Sequence, residues 1–116
     1  MKVAVVGSRN CRNLDERQVL VHLPAECSAI VSGGAAGVDT FAEKAAKIRN
    51  IPVITFLPDY KKFGKAATLL RNRQIVENAD MVLAFWDYAS PGTANTIAEC
   101  IRLRVPVRII DLQEYR

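Results

Sequence analysis

The chain of 116 residues carries one histidine, one tryptophan and three cysteines, and each shortage closes off a chemistry. His22 has no Ser or Cys partner at a recognisable spacing, so no Ser-His-Asp arrangement can be drawn, and the residue reads as helix surface. Cys11, Cys27 and Cys100 are odd in number, widely separated and never spaced CxxC. That argues against a disulfide framework and a zinc site, and leaves three reduced, mostly structural thiols. No apolar run approaches the roughly 20 residues that a membrane span needs. The strand-like Lys2-Val3-Ala4-Val5-Val6 start lacks the long apolar region and cleavage site of a secretory signal. These absences imply a cytoplasmic protein with no membrane partner, no metal site and no resident cofactor. Internal repeats, low-complexity tracts and linkers are also missing, so one domain over residues 1–116 is expected.

What is present begins with a mild charge excess, +4 from 16 Lys and Arg against 12 Asp and Glu. Its location matters more than its size. Lys61, Lys62, Lys65, Arg71 and Arg73 lie in one stretch bordered only by Asp59 and Glu77. The stretch reads either as a positive patch for an anionic partner or as a solvated helix face.

Short apolar runs rich in β-branched residues recur at Val3–Val6, Ala29–Val31, Pro52–Phe56, Met81–Phe85 and Val105–Ile110, each the length of a buried strand. Helical spacing separates them. Val38, Phe41, Ala42, Ala45 and Ile48 share one face, with Glu43, Lys44 and Lys47 opposite. Ala94, Ile97, Ala98 and Ile101 repeat the period, a further helix runs from about Ala66 to Asn78, and Asn13 with Glu16 resembles a capping box for a first helix that Pro24 closes. Strands alternating with helices, without hairpin-length turns, imply parallel pairing through right-handed crossovers. The expected fold is α/β: a Rossmann-like, doubly wound parallel sheet of about five strands with helices on both faces.

In such a sheet ligands bind beyond the carboxyl ends of the strands, so the loops there hold the candidate site. After strand one, Gly7 permits a tight turn, Ser8 offers a hydroxyl and Arg9 a guanidinium with paired donors for phosphate or carboxylate. After strand two, Ser32-Gly33-Gly34-Ala35-Ala36-Gly37-Val38-Asp39 enters the clearest helix; small residues let backbone N–H groups approach a phosphate, and the helix N-terminus adds positive partial charge. The run is neither GxGxxG nor a P-loop. The alternative reading is a tight turn with close helix packing. Asp39 is either a first-turn carboxylate that complements the helix dipole or a partner for a ribose hydroxyl.

After strand three, Leu57-Pro58-Asp59-Tyr60 is a turn that places a carboxylate and a ring at the same rim, where Tyr60 can stack on a base. After strand four, Ser90-Pro91-Gly92-Thr93 brings a second helix N-terminus, with Thr93 a candidate N-cap. Trp86 and Tyr88 read either as a stack for one base or as core and rim.

Taken together, Gly7-Ser8-Arg9, Ser32-Gly33-Gly34-Ala35 with Gly37-Val38-Asp39, Arg71-Asn72-Arg73 and Ser90-Pro91-Gly92-Thr93 resemble the SLOG superfamily, which joins the DNA-processing protein DprA (Smf) and the LOG proteins. Within it the likeness is to the small YspA and YpsA-related proteins and covers nearly the whole chain. The resemblance implies a nucleotide or nucleotide-derived ligand held by the Ser32 to Asp39 and Gly92-Thr93 loops, and a homodimer or larger assembly. The DprA branch is similar at Arg71-Asn72-Arg73, which implies single-stranded DNA as a partner, with Lys61, Lys62 and Lys65 lengthening the surface. The LOG branch implies a nucleoside-monophosphate phosphoribohydrolase, with Arg9 or Arg71 holding phosphate and Glu99 or Asp39 at the glycosidic bond. The LOG motif has a glutamate three residues after its threonine. Thr96 occupies that position here, and Glu99 lies one turn on, displaced by about 5 Å along the axis.

Overall fold

A computed structural model describes residues 1–9, 11 and 13–115. The β-branched runs form five strands: β1 (Lys2–Gly7), β2 (Ala29–Ser32), β3 (Val53–Thr55), β4 (Met81–Trp86) and β5 (Val107–Asp111). All neighbours pair in parallel, in the order β3-β2-β1-β4-β5. The chain winds from β1 out to β3, returns to lay β4 on the free side of β1, and ends at β5. The fold is therefore Rossmann-like, with its reversal of strand order between β1 and β4.

Among the described residues, α1 (Glu16–His22) and α2 (Val38–Arg49) cover one face of the sheet and α4 (Ala67–Glu77) and α5 (Pro91–Leu103) the other, while the short α3 (Tyr60–Phe63) lies outside both layers. Strand alternation sorts the core into two layers. Val3, Val5, Leu83 and Phe85 pack with Val19 of α1 and Val38, Ala42 and Ala45 of α2. Ala4, Val6, Val82 and Ala84 pack with Ile75 and Val76 of α4 and Ile97 and Cys100 of α5. Full burial of one such Val, Leu, Ile or Phe contributes roughly 1.5–3 kcal/mol, so the two layers hold the sheet between them. Among the described residues no helix is long and apolar enough to cross a membrane.

Several local expectations need correction. Helix α1 is capped by Asp15, not Asn13: Asp15 accepts from Arg17 N–H at 2.9 Å, and Gln18 accepts from Asp15 N–H at 2.7 Å. Asn13 has a left-handed φ of 62° instead, because Leu14 must reach the core before the helix begins. In α2, Ile48 falls off the buried stripe and is 62% exposed. In α5 the buried face is Thr93, Thr96, Ile97 and Cys100, leaving Ala98 and Ile101 outside. Threonines serve as core residues there because Thr96 Oγ1 donates to Gly92 O at 3.1 Å, which satisfies the hydroxyl inside its own helix. His22 is half-buried, edge-on to Phe85 with ring centroids 6.0 Å apart, and burial pushes its imidazole below the usual range. The segment after β3 is a short helix and a 3-10 turn (Gly64–Ala66) rather than a turn alone, with Asp59 capping α3 through Lys62 N–H at 3.1 Å.

One contact fixes how closely the layers approach. A Cβ on Gly7 would lie 2.6 Å from Val38 Cγ2 and 2.7 Å from Phe85 O, whereas a Cβ on Gly92 would meet nothing within 4 Å. Gly7→Ala is therefore expected to cost about 1–3 kcal/mol through overpacking. Gly92→Ala, in the first turn of α5, should be neutral or stabilising by up to about 1 kcal/mol. Urea unfolding of the two variants checks this, and equal midpoints would contradict it.

Candidate functional site

At the carboxyl end of the sheet, β1 leads to α1 on one face and β4 leads to α5 on the other, which opens a crevice at the reversal point. It measures about 610 Å³. Val6, Gly7 and Ser8 form its floor, and Gly33 and Ala35 of the β2–α2 connection with Asp39 in the first turn of α2 form one wall. Thr68, Leu69, Arg71, Asn72 and Ile75 of α4 face them, while Ser90 to Thr93 and Thr96 close the end at α5. Arg9 stands at the rim, exposed to solvent.

Each wall is held by a specific interaction. Ser8 N–H donates to Phe85 O at 3.0 Å and its hydroxyl accepts from Asp87 N–H at 3.3 Å, tying β1 to the β4–α5 loop. Gly37 takes φ 79°, a conformation costly for residues with a Cβ, and caps α2. Arg71 Nη1 donates to Gly33 O at 2.9 Å and Nε to Asn72 Oδ1 at 3.1 Å; Asn72 Nδ2 donates in turn to Asn95 Oδ1 at 3.1 Å. One chain of hydrogen bonds thus links α5, α4 and the glycine loop, and fixes the guanidinium plane of Arg71 against the cleft.

The cleft collects donors. The N-termini of α2 and α5 both border it, and the first N–H groups of a helix have no partner within the helix. Pro91 at the first position of α5 has no N–H to satisfy, and Gly92 and Thr93 after it line the cleft. Asp39 is the one carboxylate among the described lining residues. Burial pushes its pKa up to about 6, against the opposing pull of Ala35 N–H, which donates to Oδ2 at 2.8 Å, and of the Arg71 charge. At about 6 the carboxyl stays mostly ionised at neutral pH, so Asp39 puts one negative charge beside the positive charges of Arg9 and Arg71. On the outer side of the α5 loop, desolvation raises Asp87, but hydrogen bonds from Ala89 N–H, Ser90 N–H and Ser90 Oγ outweigh it and bring the carboxyl to about 2.

Of the residues singled out in the sequence, Gly7, Ser8, Arg9, Gly33, Ala35, Asp39, Arg71, Asn72, Ser90, Gly92 and Thr93 come together on this cleft. Ser32, Gly34, Gly37 and Asp59 do not line it. Ser32 is buried and accepts from Gly34 N–H at 3.2 Å, so it builds the turn; Gly37 caps α2 and Asp59 caps α3. The cap of α5 is Ser90, not Thr93, which is buried inside the first turn. Asp39 reaches back to the loop rather than out of the helix. Glu99 is turned to Arg102, which it meets at 2.7 Å, and lines no part of the cleft. Trp86 donates its indole N–H to Ser90 O at 3.1 Å with Tyr88 stacked on it, ring centroids 4.6 Å apart, and neither lines the cleft. Sequence reasoning missed Val6, Thr68, Leu69, Ile75, Pro91 and Thr96. The helical period of α4 held a signal for Thr68 and Ile75, one turn before and after Arg71, and for Leu69, one turn before Asn72.

Fold and cleft together define an α/β protein of Rossmann type with an arginine-lined crevice at its switch point. A family model described as DNA recombination-mediator protein A matches residues 1–62, and the chain belongs to that family. Two solved structures are similar. One is DNA processing protein A from Helicobacter pylori, described for its single-stranded DNA binding mode, with TM-score 0.75 and 21% identity over 98% of this chain and 70% of that one. The other is DNA processing protein A (DprA) from Streptococcus pneumoniae, with TM-score 0.75 and 25% identity over 93% of this chain and 49% of that one. This chain thus spans about half of the Streptococcus protein. No curated protein matches it in sequence.

The raised pKa of Asp39 carries a sign that can be checked. Its folded value of about 6 lies above the ordinary 3.8, so the stability it contributes is fully present below about pH 4 and is lost as pH rises through 6. Asp39→Asn keeps an acceptor for Ala35 N–H and removes the buried charge. Relative to wild type, the variant should gain up to about 3 kcal/mol more at pH 8 than at pH 4, measured by urea unfolding at both values. The same difference at both pH values would refute the assignment.

Proposed function

We propose that this chain binds single-stranded nucleic acid by seating one nucleotide unit, phosphate first, in the cleft between α2, α4 and α5. The observation that carries the proposal is the convergence of the first turns of α2 and α5 with Arg9 and Arg71 on a pocket that holds a single carboxylate, Asp39, among its described lining residues. Membership of the DNA recombination-mediator protein A family supports a nucleic acid as the source of the phosphate, and so does the described ligand of the Helicobacter relative. An isolated nucleotide presents the same phosphate and belongs to the same reading in its coarser form; the likeness to the small YspA and YpsA-related proteins favours it. The phosphoribohydrolase reading lacks support from Glu99, whose carboxylate is engaged by Arg102 away from the pocket.

Recognition of this kind is sequence-tolerant, because backbone N–H groups and arginines read phosphate rather than base edges. Affinity for a short oligonucleotide should fall steeply with salt, and Arg9→Ala should flatten the slope of log K against log salt by about 0.7, the share of one single-strand phosphate. Fluorescence anisotropy with a labelled oligonucleotide over a salt series measures both. No complex at low salt, with no thermal stabilisation by mononucleotides either, would overturn the proposal.

A further inference from the structure

Asp39 is a buried carboxylate in a cleft that also holds two arginines, yet among the described residues no ion pair reaches it. Arg71 turns Nη1 to Gly33 O and Nε to Asn72 Oδ1 instead, and Arg9 stands at the solvent rim. What meets the carboxylate is backbone: Ala35 N–H donates to Oδ2 at 2.8 Å, and Gly33 N–H adds a smaller pull. The charges around it are Arg71 from α4, Arg9 from the β1–α1 rim and Glu43 one turn on along α2. From β1 come Val6, Gly7 and Ser8, and from α5 and its cap the hydroxyls of Ser90, Thr93 and Thr96, all without charge. Burial outweighs the attraction of the cation and of the two N–H groups, and the carboxyl reaches about 6.

Resting on the reading of the cleft given above, we propose that Asp39 couples ligand binding to proton uptake, so that a phosphate enters the cleft together with one proton on the Asp39 carboxylate. Phosphate and carboxylate would share one cavity, and a like charge nearby disfavours the ionised form of each. A backbone phosphodiester is a far stronger acid than a carboxyl group, so it keeps its charge and the carboxylate yields. The proton comes from solvent and goes to Oδ1, since Oδ2 accepts from Ala35 N–H. It turns a group that only accepts into one with an O–H donor, which a phosphate oxygen can meet. The coupling is reciprocal: by whatever factor the phosphate tightens the proton, the proton tightens the phosphate. Because the complex holds more protons than the free chain, affinity is level well below pH 6, where Asp39 is neutral in both states, and falls as pH rises above it.

The probe is an oligothymidylate without terminal phosphates, which carries no group that titrates between about pH 5 and 8, so any pH dependence belongs to the protein. Fluorescence anisotropy at constant ionic strength gives the affinity across that range. Titration calorimetry in two buffers of different ionisation enthalpy counts the protons taken up. For a coupling of about tenfold, wild type should bind about tenfold more weakly at pH 8 than at pH 5 and take up about half a proton per complex near pH 6.5. Asp39→Asn should take up none and bind with one affinity at both pH values. The proton count on wild type needs no variant, so the linkage stays testable if Asp39→Asn fails to fold. His22, the one imidazole of the chain, lies edge-on to Phe85 and lines no part of the cleft, so proton uptake that persists in Asp39→Asn belongs elsewhere and overturns the proposal. Wild-type binding without proton uptake, level from pH 5 to 8, overturns the linkage alone. Failure of the wild type to bind at any pH overturns the cleft reading beneath it.

Discussion

The structure of the rim depends on how tightly the end of β1 is held between its neighbours. Gly7 lies against Val38 on one side and the Phe85 carbonyl on the other, leaving no room for a methyl group. That crowding brings the start of α2 against the floor of the crevice, and Ser8 then ties the same point to β4 through its N–H and to the β4–α5 loop through its hydroxyl. The β1–α1 connection leans on the same place, since a Cβ on Gly37 would lie 3.0 Å from Arg9 O. Preorganisation here comes from close packing, because packed interiors accommodate extra volume only by shifting backbone.

Much of this was legible in the sequence, for one physical reason: elements whose burial is dictated by apolar side chains declare themselves. The central strands β1, β2 and β4 are buried on both faces and read as continuous apolar runs, the edge strands β3 and β5 are only partly buried, and the parallel order follows from the helices between them. The loops at the carboxyl ends were readable because glycine is used where backbone must approach backbone. What escaped was burial by residues that look polar. Thr93 and Thr96 form part of the inner face of α5, and the isoleucine at 101, which the period marks as core, faces solvent at 72% exposure. A threonine whose hydroxyl bonds within its own helix packs as a small β-branched residue, and nothing in composition reveals that bond. The cap of α1 escaped for a related reason: Asn13 and Asp15 are both good caps, and the choice between them was made by Leu14, whose destination is a tertiary fact.

The two arginines of the cleft show how position divides labour between identical side chains. Arg71 is already spoken for by the Gly33 carbonyl and Asn72, and through Asn72 by Asn95. Its orientation entropy is spent in folding, so a ligand meets a guanidinium that is already aimed. The same side chain also fills the space beside Gly33, where a Cβ would come within 2.7 Å of Nη1. Losing Arg71 would therefore disturb the loop as well as the charge.

Arg9 stands exposed at the rim, where water screens its charge and its side chain must be ordered by whatever binds. Its contribution belongs to encounter and to counting phosphates more than to holding one in a set geometry. On the proposed reading, the cleft would hold one phosphate through α2, α5 and Arg71, with Arg9 adding charge at the rim. The sequence of the bases should then matter little to affinity, because backbone N–H groups and guanidinium groups on these walls are aimed at phosphate and none of the lining side chains is built to distinguish one base edge from another.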